Sequence, residues 1–230
     1  MNSAVAIVGT SFSGKSTLLR ELSVSGFDVI DEYCVYAGGN QNFRKIPFKS
    51  ALDAEENIKD FLRLERLRQK DILLVKERSD NSVITDRSLF CVILTQLLIR
   101  MMRPDWYNAF YRSIELVKES CERGDIVLPA RLIILEPADE VTFLARSQRG
   151  VSVGIFSEVA TWKFFSRYYK FIAELLYGQE SFIRLFSSNT KKSSELVLEI
   201  EKFLQESHKV DSEVLLNKWD FFWSEVSNEK

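Results

Sequence analysis

Histidine and cysteine are scarce in this sequence. The only histidine is His208, and the three cysteines, Cys34, Cys91 and Cys121, are scattered without C-x-x-C spacing. Structural zinc sites take four ligands that are mostly Cys and His, and disulfide frameworks need an even, patterned set of cysteines. The composition therefore argues against both a zinc site and a disulfide framework.

The sequence also lacks an excess of one charge and a long apolar run. Its 31 basic and 33 acidic residues give a formal net charge of −2, which does not support a general binder of nucleic acids or anionic membranes. The most apolar stretch, residues 89–102, contains Gln96 and Arg100 and is too short to span a bilayer. No basic segment followed by an apolar one marks a signal peptide. We expect a cytoplasmic protein with no nucleic-acid polymer and no membrane as a partner.

Alternating strand-like and helix-like runs fill the chain. Its 230 residues, 46% of them hydrophobic, fit one large α/β domain. The alternation is typical of βαβ units and a parallel sheet. Expected strands cover residues 4–8, 27–30, 82–88, 130–137 and 182–186. Expected helices begin at residue 16 and cover 52–76, 89–102, 104–123, 138–149, 158–176 and 193–206.

"GTSFSGKS", residues 9–16, has the complete G-x-x-x-x-G-K-S spacing between an apolar strand and a helix start. Gly9 and Gly14 permit backbone angles that let successive amides point at phosphate oxygens. Lys15 is expected to reach the β- and γ-phosphates, and the Ser16 hydroxyl to contact Mg²⁺. This pattern predicts binding of a nucleoside triphosphate, here ATP with Mg²⁺. The expected nucleotide contacts are Gly9, Thr10, Ser11, Phe12, Ser13, Gly14, Lys15, Ser16 and Thr17.

Acidic residues follow the second and third expected strands. Glu32 is a candidate for orienting an attacking hydroxyl, although Asp31 is an alternative. If consecutive strands are neighbours in the sheet, Glu32 lies beside the first strand, which leads into the phosphate-binding loop of residues 9–16 (the P-loop). Asp86 is a candidate Mg²⁺ holder, directly or through water, and Arg87 would then point at substrate or phosphate. A helix N-cap with an ion pair is the alternative for this second pair.

"RSQRG" puts Arg146 and Arg149 on one face of a helix end, and Gly150 opens the chain into a loop. Guanidinium groups suit the charge that develops on a transferring phosphoryl group. A closing loop would exclude water that otherwise hydrolyses ATP. We predict an Arg-bearing lid over about residues 146–158.

Taken in order, "GTSFSGKS", "DEY", "TDRS", "LEPADEVTFLARSQRG" and a helix with Tyr168-Tyr169 resemble the deoxynucleoside kinase and thymidylate kinase group of P-loop kinases. The resemblance covers about residues 5–204. It implies a three-layer α/β/α P-loop NTPase fold with a five-stranded parallel sheet and an Arg-bearing lid. The implied roles are Lys15 and Ser16 at phosphates and Mg²⁺, Glu32 as the base or hydroxyl-orienting acid, Asp86 and Arg87 near metal and substrate, and Arg146 and Arg149 as lid arginines.

The resemblance implies a kinase for a nucleoside, a deoxynucleoside or a nucleoside monophosphate. A monophosphate would require further cations, for which Arg44, Lys45 and Lys49 are candidates. Another small metabolite, such as nicotinamide riboside, is an alternative acceptor. A nucleotide-dependent switch or regulatory ATPase is an alternative from another class.

The C-terminal segment, residues 208–230, follows the expected kinase domain of residues 1–207. Its apolar positions form an aromatic stripe at helical spacing. The stripe comprises Leu215, Trp219, Phe222, Trp223 and Val226. We expect this helix either to pack on its own domain or to form an interface, for example in a homodimer.

Overall fold

Five parallel strands form one sheet in the computed structural model of the chain. The strands are β1 (Val5–Val8), β2 (Asp28–Ile30), β3 (Val83–Asp86), β4 (Arg131–Glu136) and β5 (Ile183–Ser187), in the order β2-β3-β1-β4-β5. The structure describes residues 4–43, 46, 48–79, 81–136, 139–149, 154–175, 183–187, 192–206, 216 and 219–228. The predicted parallel sheet of five strands is confirmed.

Helices connect the strands and cover both faces of the sheet. They are α1 (Lys15–Val24), α2 (Tyr33–Tyr36), α3 (Ala51–Lys76), α4 (Leu89–Met102), α5 (Tyr107–Glu122), α6 (Glu140–Ser147), α7 (Val159–Leu175), α8 (Ser193–Glu206) and α9 (Trp219–Asn228). Short 3-10 helices cover Asn40–Asn42, Pro104–Trp106 and Gly154–Ser157. The sequence did not predict α2. It also extended the third strand to residue 88, whereas Arg87 has a φ of 67°, which turns the chain out of the sheet after Asp86.

The prediction that Glu32 lies beside the strand leading into the P-loop is wrong. β3 lies between β2 and β1, so the strand before Glu32 does not pair with the P-loop strand. The α1 connection carries the chain past one strand position, and β3 later fills that position. Parallel pairing still aligns the ends of these strands, because Ile7 pairs with Asp86 and Ile30 with Thr85.

Alternating residues of the central strands point into two apolar cores. Ala6 and Val8 face the core built with α3, α4, α5 and α7. Val5 and Ile7 face the core built with α1 and α8. Side chains alternate across a strand, so each β1 residue contributes to one core only. This arrangement gives the three-layer α/β/α architecture.

The aromatic stripe of α9 is buried in the larger of the two cores. Trp219, Phe222 and Trp223 surround the Phe90 ring of α4 with ring centroids 5.6–5.9 Å away. The indole N–H of Trp219 donates to the Ile114 carbonyl at 3.2 Å. Val226 is buried in the same cluster, while Leu215 lies outside the described residues. The helix therefore packs against helices of the chain's own domain, among them α4 and α5.

No described helix is long and apolar enough to cross a membrane.

Replacing Phe222 with alanine should lower the free energy of unfolding by about 3–5 kcal/mol, because the ring is lost from a packed core. Phe221 on the same helix is 61% exposed, whereas Phe222 is 3% exposed. Phe221→Ala is therefore the matched control and should change stability by less than about 0.5 kcal/mol. Urea unfolding measures both, and equal small losses would show that α9 is not part of the core.

Candidate active site

The P-loop joins β1 to α1 through backbone angles that favour glycine. Gly9 has a φ of 149°, and a Cβ built there would lie 1.8 Å from the Leu135 carbonyl oxygen of β4. Gly14 has a φ of 93° and caps α1 in the left-handed conformation. Phe12, between them, also has a positive φ of 59°. The loop thus packs tightly on β4 and opens α1 with free amides at its positive end.

Lys15 folds back over the loop. Its Nζ donates to the carbonyls of Gly9 at 3.1 Å and Thr10 at 2.7 Å, and to the Ser13 hydroxyl at 3.3 Å. Burial, and next the charge of Arg87, lower the pKa of Lys15 to about 8. A lysine whose charge is disfavoured by burial gains from an anion placed beside it.

The hydroxyls of the P-loop differ in exposure. The Thr10 hydroxyl is buried and has no hydrogen-bond partner among the described residues. Ser16 and Thr17 are exposed, and Ser11 is partly buried. The P-loop segment therefore carries hydroxyl groups both before and after Lys15 in sequence.

Glu32 and Arg87 form an ion pair at the carboxyl edge of the sheet. Arg87 Nε donates to Glu32 Oε1, and the Cys34 thiol donates to Glu32 Oε2 at 3.7 Å. Burial alone would raise the pKa of Glu32, but the charge and hydrogen bond of Arg87, with the charge of Lys15, hold it below its ordinary value. The carboxylate is therefore ionised at neutral pH.

Asp86 interacts electrostatically with both Arg87 and Lys15. Its Oδ1 atom is buried and has no hydrogen-bond partner among the described residues. Burial raises the pKa of Asp86, and the charge of Glu32 adds to this, while Arg87 and Lys15 oppose it. An unpartnered buried carboxylate oxygen is stabilised by a cation.

These donors fit Mg²⁺. Asp86 would supply its unpartnered carboxylate oxygen and the exposed Ser16 a hydroxyl. Mg²⁺ prefers oxygen ligands and in nucleotide sites takes one or two from protein, keeping water and phosphate oxygens for the rest. No group of three or more His, Cys, Asp or Glu side chains that could hold a metal occurs among the described residues.

Arg146 in the last turn of α6 contacts the P-loop. Its Nη1 donates to the Phe12 carbonyl at 3.3 Å and the Ser13 carbonyl at 3.1 Å. Arg149, one turn later, is exposed, and its side chain contacts no described residue through a hydrogen bond or ion pair. Of the expected lid, Gly150 and residues 151–153 lie outside the described residues. Burial, and next the charge of Arg149, lower the pKa of Arg146, so Arg149 lies near the guanidinium that contacts the P-loop.

A buried ion pair on α3 was not predicted from the sequence. Arg68 and Glu65 form an ion pair at 2.9 Å, and Arg68 Nη2 donates to the carbonyls of Asp86 at 3.0 Å and Arg87 at 3.3 Å. The spacing of three residues was the available signal. On a helix as highly charged as α3, that spacing is typical of a solvated face.

Of the cations expected for a monophosphate, Lys49 is exposed, whereas Arg44 and Lys45 lie outside the described residues.

The fold is similar to that of solved deoxyadenosine kinase structures. A deoxyadenosine kinase from M. mycoides with the products dCMP and a flexible dCDP has a TM-score of 0.59 and 18% sequence identity, over 88% of this chain and 98% of that chain. The M. mycoides deoxyadenosine kinase with bound dATP has a TM-score of 0.52 and 16% identity, over 88% and 100%. No protein-family model and no curated protein matches the chain. The likeness confirms the resemblance to the deoxynucleoside kinase group at the level of fold.

Gly9→Ala should destabilise the chain by about 2–6 kcal/mol, because it adds backbone strain and a clash with Leu135. Gly124→Ala is the control, since Gly124 also has a positive φ, 73°, but an added Cβ meets nothing within 4 Å. We expect about 1–2 kcal/mol there. Both are measured by urea unfolding. A loss for Gly9→Ala no larger than the control would contradict the close approach to β4.

Proposed function

We propose that this chain is an ATP- and Mg²⁺-dependent kinase that transfers a phosphoryl group to a hydroxyl of a nucleoside or deoxynucleoside. The ionised Glu32, paired with Arg87 and acting electrostatically on Lys15, is the observation that carries the proposal. A carboxylate at this position suits an acceptor whose hydroxyl must release a proton. The kinase fold shared with the deoxyadenosine kinases supports the same reaction class.

The P-loop is the part of the site that binds the nucleotide. Its amides and the start of α1 bind the phosphates, and Lys15 moves its hydrogen bonds from the loop carbonyls to phosphate oxygens. Asp86 and Ser16 would hold Mg²⁺. When bound, the metal neutralises charge on the phosphates and helps to orient them.

The acceptor end belongs to Glu32 and Arg87. Glu32 accepts a hydrogen bond from the attacking hydroxyl and takes its proton. Arg87 keeps the carboxylate ionised and oriented, and its charge also favours the phosphoryl group as negative charge develops. Arg146 adds a second cation on the P-loop side.

A nucleoside acceptor is favoured over a monophosphate. Phosphate as an acceptor needs no base in the place of Glu32. The switch alternative assigned signalling to the aromatic stripe of the C-terminal segment. Trp219, Phe222 and Trp223 are buried in the chain's own core, which weakens that alternative. Cytoplasmic location and a homodimer stay predictions.

The experiment is ADP release with ATP and Mg²⁺ against deoxynucleosides, ribonucleosides, nucleoside monophosphates and nicotinamide riboside. We expect stimulation by nucleosides or deoxynucleosides, and no stimulated turnover from Lys15→Ala. Lys59→Ala is the matched control, because Lys59 is a surface lysine paired with Glu55 and Glu56. ATP binding without acceptor-stimulated turnover anywhere on the panel would refute the kinase proposal and favour a switch.

Glu32→Gln should slow phosphoryl transfer by about 10²–10⁴-fold, the usual contribution of a general base, with nucleotide affinity within about twofold of wild type. One acidic limb of the wild-type rate should follow the lowered pKa of Glu32, because protonation removes the base. The variant should lack that acidic limb. Single-turnover rates across pH measure both, and a wild-type rate for Glu32→Gln would remove Glu32 from this role.

A further inference from the structure

A buried arginine lies directly behind the Asp86–Arg87 turn. Arg68 of α3 is 1% exposed, and one of its nitrogens donates to the carbonyls of both turn residues. The turn needs such support, because Arg87 is a non-glycine residue with a positive φ. The Arg87 amide also donates to the Ile7 carbonyl at 2.9 Å, and the Thr85 hydroxyl donates to the Arg87 carbonyl at 3.2 Å.

The same arginine is connected to the segment that carries Glu32. Tyr33, the next residue, donates its hydroxyl proton to Glu65 Oε2 at 2.7 Å, and that oxygen also accepts from Arg68 Nη1 at 2.9 Å. The Arg68 guanidinium carbon lies 4.3 Å from the centre of the Tyr33 ring. One carboxylate oxygen thus joins the residue after Glu32 to the guanidinium that holds the Arg87 turn.

This arrangement is poorly explained by stability alone. Burying an arginine and a glutamate removes both from water, and such pairs often contribute no more than well-packed apolar side chains would. Their hydrogen bonds are directional and fix the backbone at two places at once. Those two places carry the two members of the Glu32–Arg87 ion pair.

We propose that Arg68, with Glu65 and Tyr33, is a positioning group that holds Arg87 and Glu32 in register for phosphoryl transfer. The three side chains act through the backbone of residues 86–87 and through α2, not by touching substrate. The kinetic part of this inference rests on the proposed function, whereas the geometric part does not.

The chain contains a matched control for Tyr33. Tyr36, one turn later on α2, donates its hydroxyl proton to Asp71 of α3 at 2.6 Å. Tyr33→Phe and Tyr36→Phe therefore each delete one tyrosine–carboxylate hydrogen bond between α2 and α3. Only the first bond ends on the carboxylate that pairs with Arg68.

In turnover assays with the acceptor that the panel identifies, Tyr33→Phe should lower kcat about tenfold, the factor for one hydrogen bond to a charged group. Arg68→Lys, which keeps the charge but loses the forked geometry, should lower kcat by about 10²-fold. KM for ATP should stay within about twofold in both. Tyr36→Phe should leave kcat within about twofold of wild type.

A second readout does not depend on activity. The carboxyl carbon of Glu32, followed by NMR in the protein without substrate, reports how close Arg87 is. The charged and titratable groups that act on Glu32 are Arg87, Lys15, Asp86 and the Cys34 thiol. If Arg87 moves away, burial dominates, and the pKa of Glu32 should rise in Tyr33→Phe and Arg68→Lys but not in Tyr36→Phe.

These readouts separate the two proposals. A rise in the Glu32 pKa in a protein that phosphorylates no acceptor supports the positioning group and rejects the kinase. An unchanged Glu32 pKa in folded Tyr33→Phe and Arg68→Lys overturns the positioning group, whatever their melting temperatures. Equal kcat values for Tyr33→Phe and Tyr36→Phe would overturn it as well.

Discussion

The parallel pairing of β1 with β3 is the constraint on which the site depends. Ile7 pairs with Asp86, and the Ile7 carbonyl accepts a hydrogen bond from the Arg87 amide. This bond ties the turn after β3 to the strand that leads into the P-loop. β2 then pairs with the far side of β3, so the residues after β2 reach Arg87 without contacting β1. The site is built across three strand ends with β3 in the middle.

Charge balance follows from that geometry. Two cations, Lys15 and Arg87, and two anions, Glu32 and Asp86, share a partly buried space. The charges of the other three groups shift the pKa of Lys15 and of Asp86. Burial disfavours every charged form, but ion pairing reverses this for Glu32 and not for Asp86. Two neighbouring carboxylates thus have pKa values shifted in opposite directions. The Glu32 carboxylate stays ionised, and the unpartnered Asp86 oxygen is one that a nearby cation stabilises.

The helices on one face of the sheet support this edge both by contacts next to it and by packing farther away. Close to the edge, Arg68 of α3 donates to the Asp86 carbonyl beneath the site, and Glu65 accepts from Arg68. Farther away, α9 closes the apolar core around Phe90 of α4, the helix that begins two residues after Asp86-Arg87. The same layer therefore contains directional polar contacts next to the site and non-directional apolar packing behind it.

Much of this protein was determined by local sequence. The P-loop spacing, the strand-end acids and the alternation of strand-like and helix-like runs predicted the α/β fold, and the predicted bounds of α4 and α8 agree with the structure. Such features depend on neighbours in the chain, so a pattern reveals them. The Tyr33–Tyr36 helix is too short for a periodic signal, and its anchors lie about 30 residues away in α3.

Only the tertiary structure decided the strand order, the burial of Arg68 and the partner of Glu32. Strand order depends on which connection skips a position, and no local pattern encodes that choice. Arg68 has the composition and spacing of a solvated helix face, and it is buried only because β3 ends against α3. The Glu32–Arg87 pair joins residues 55 positions apart. The sequence by itself determined which chemical groups stand at the strand ends; long-range packing decided which of those groups meet, because that depends on contacts between distant parts of the chain.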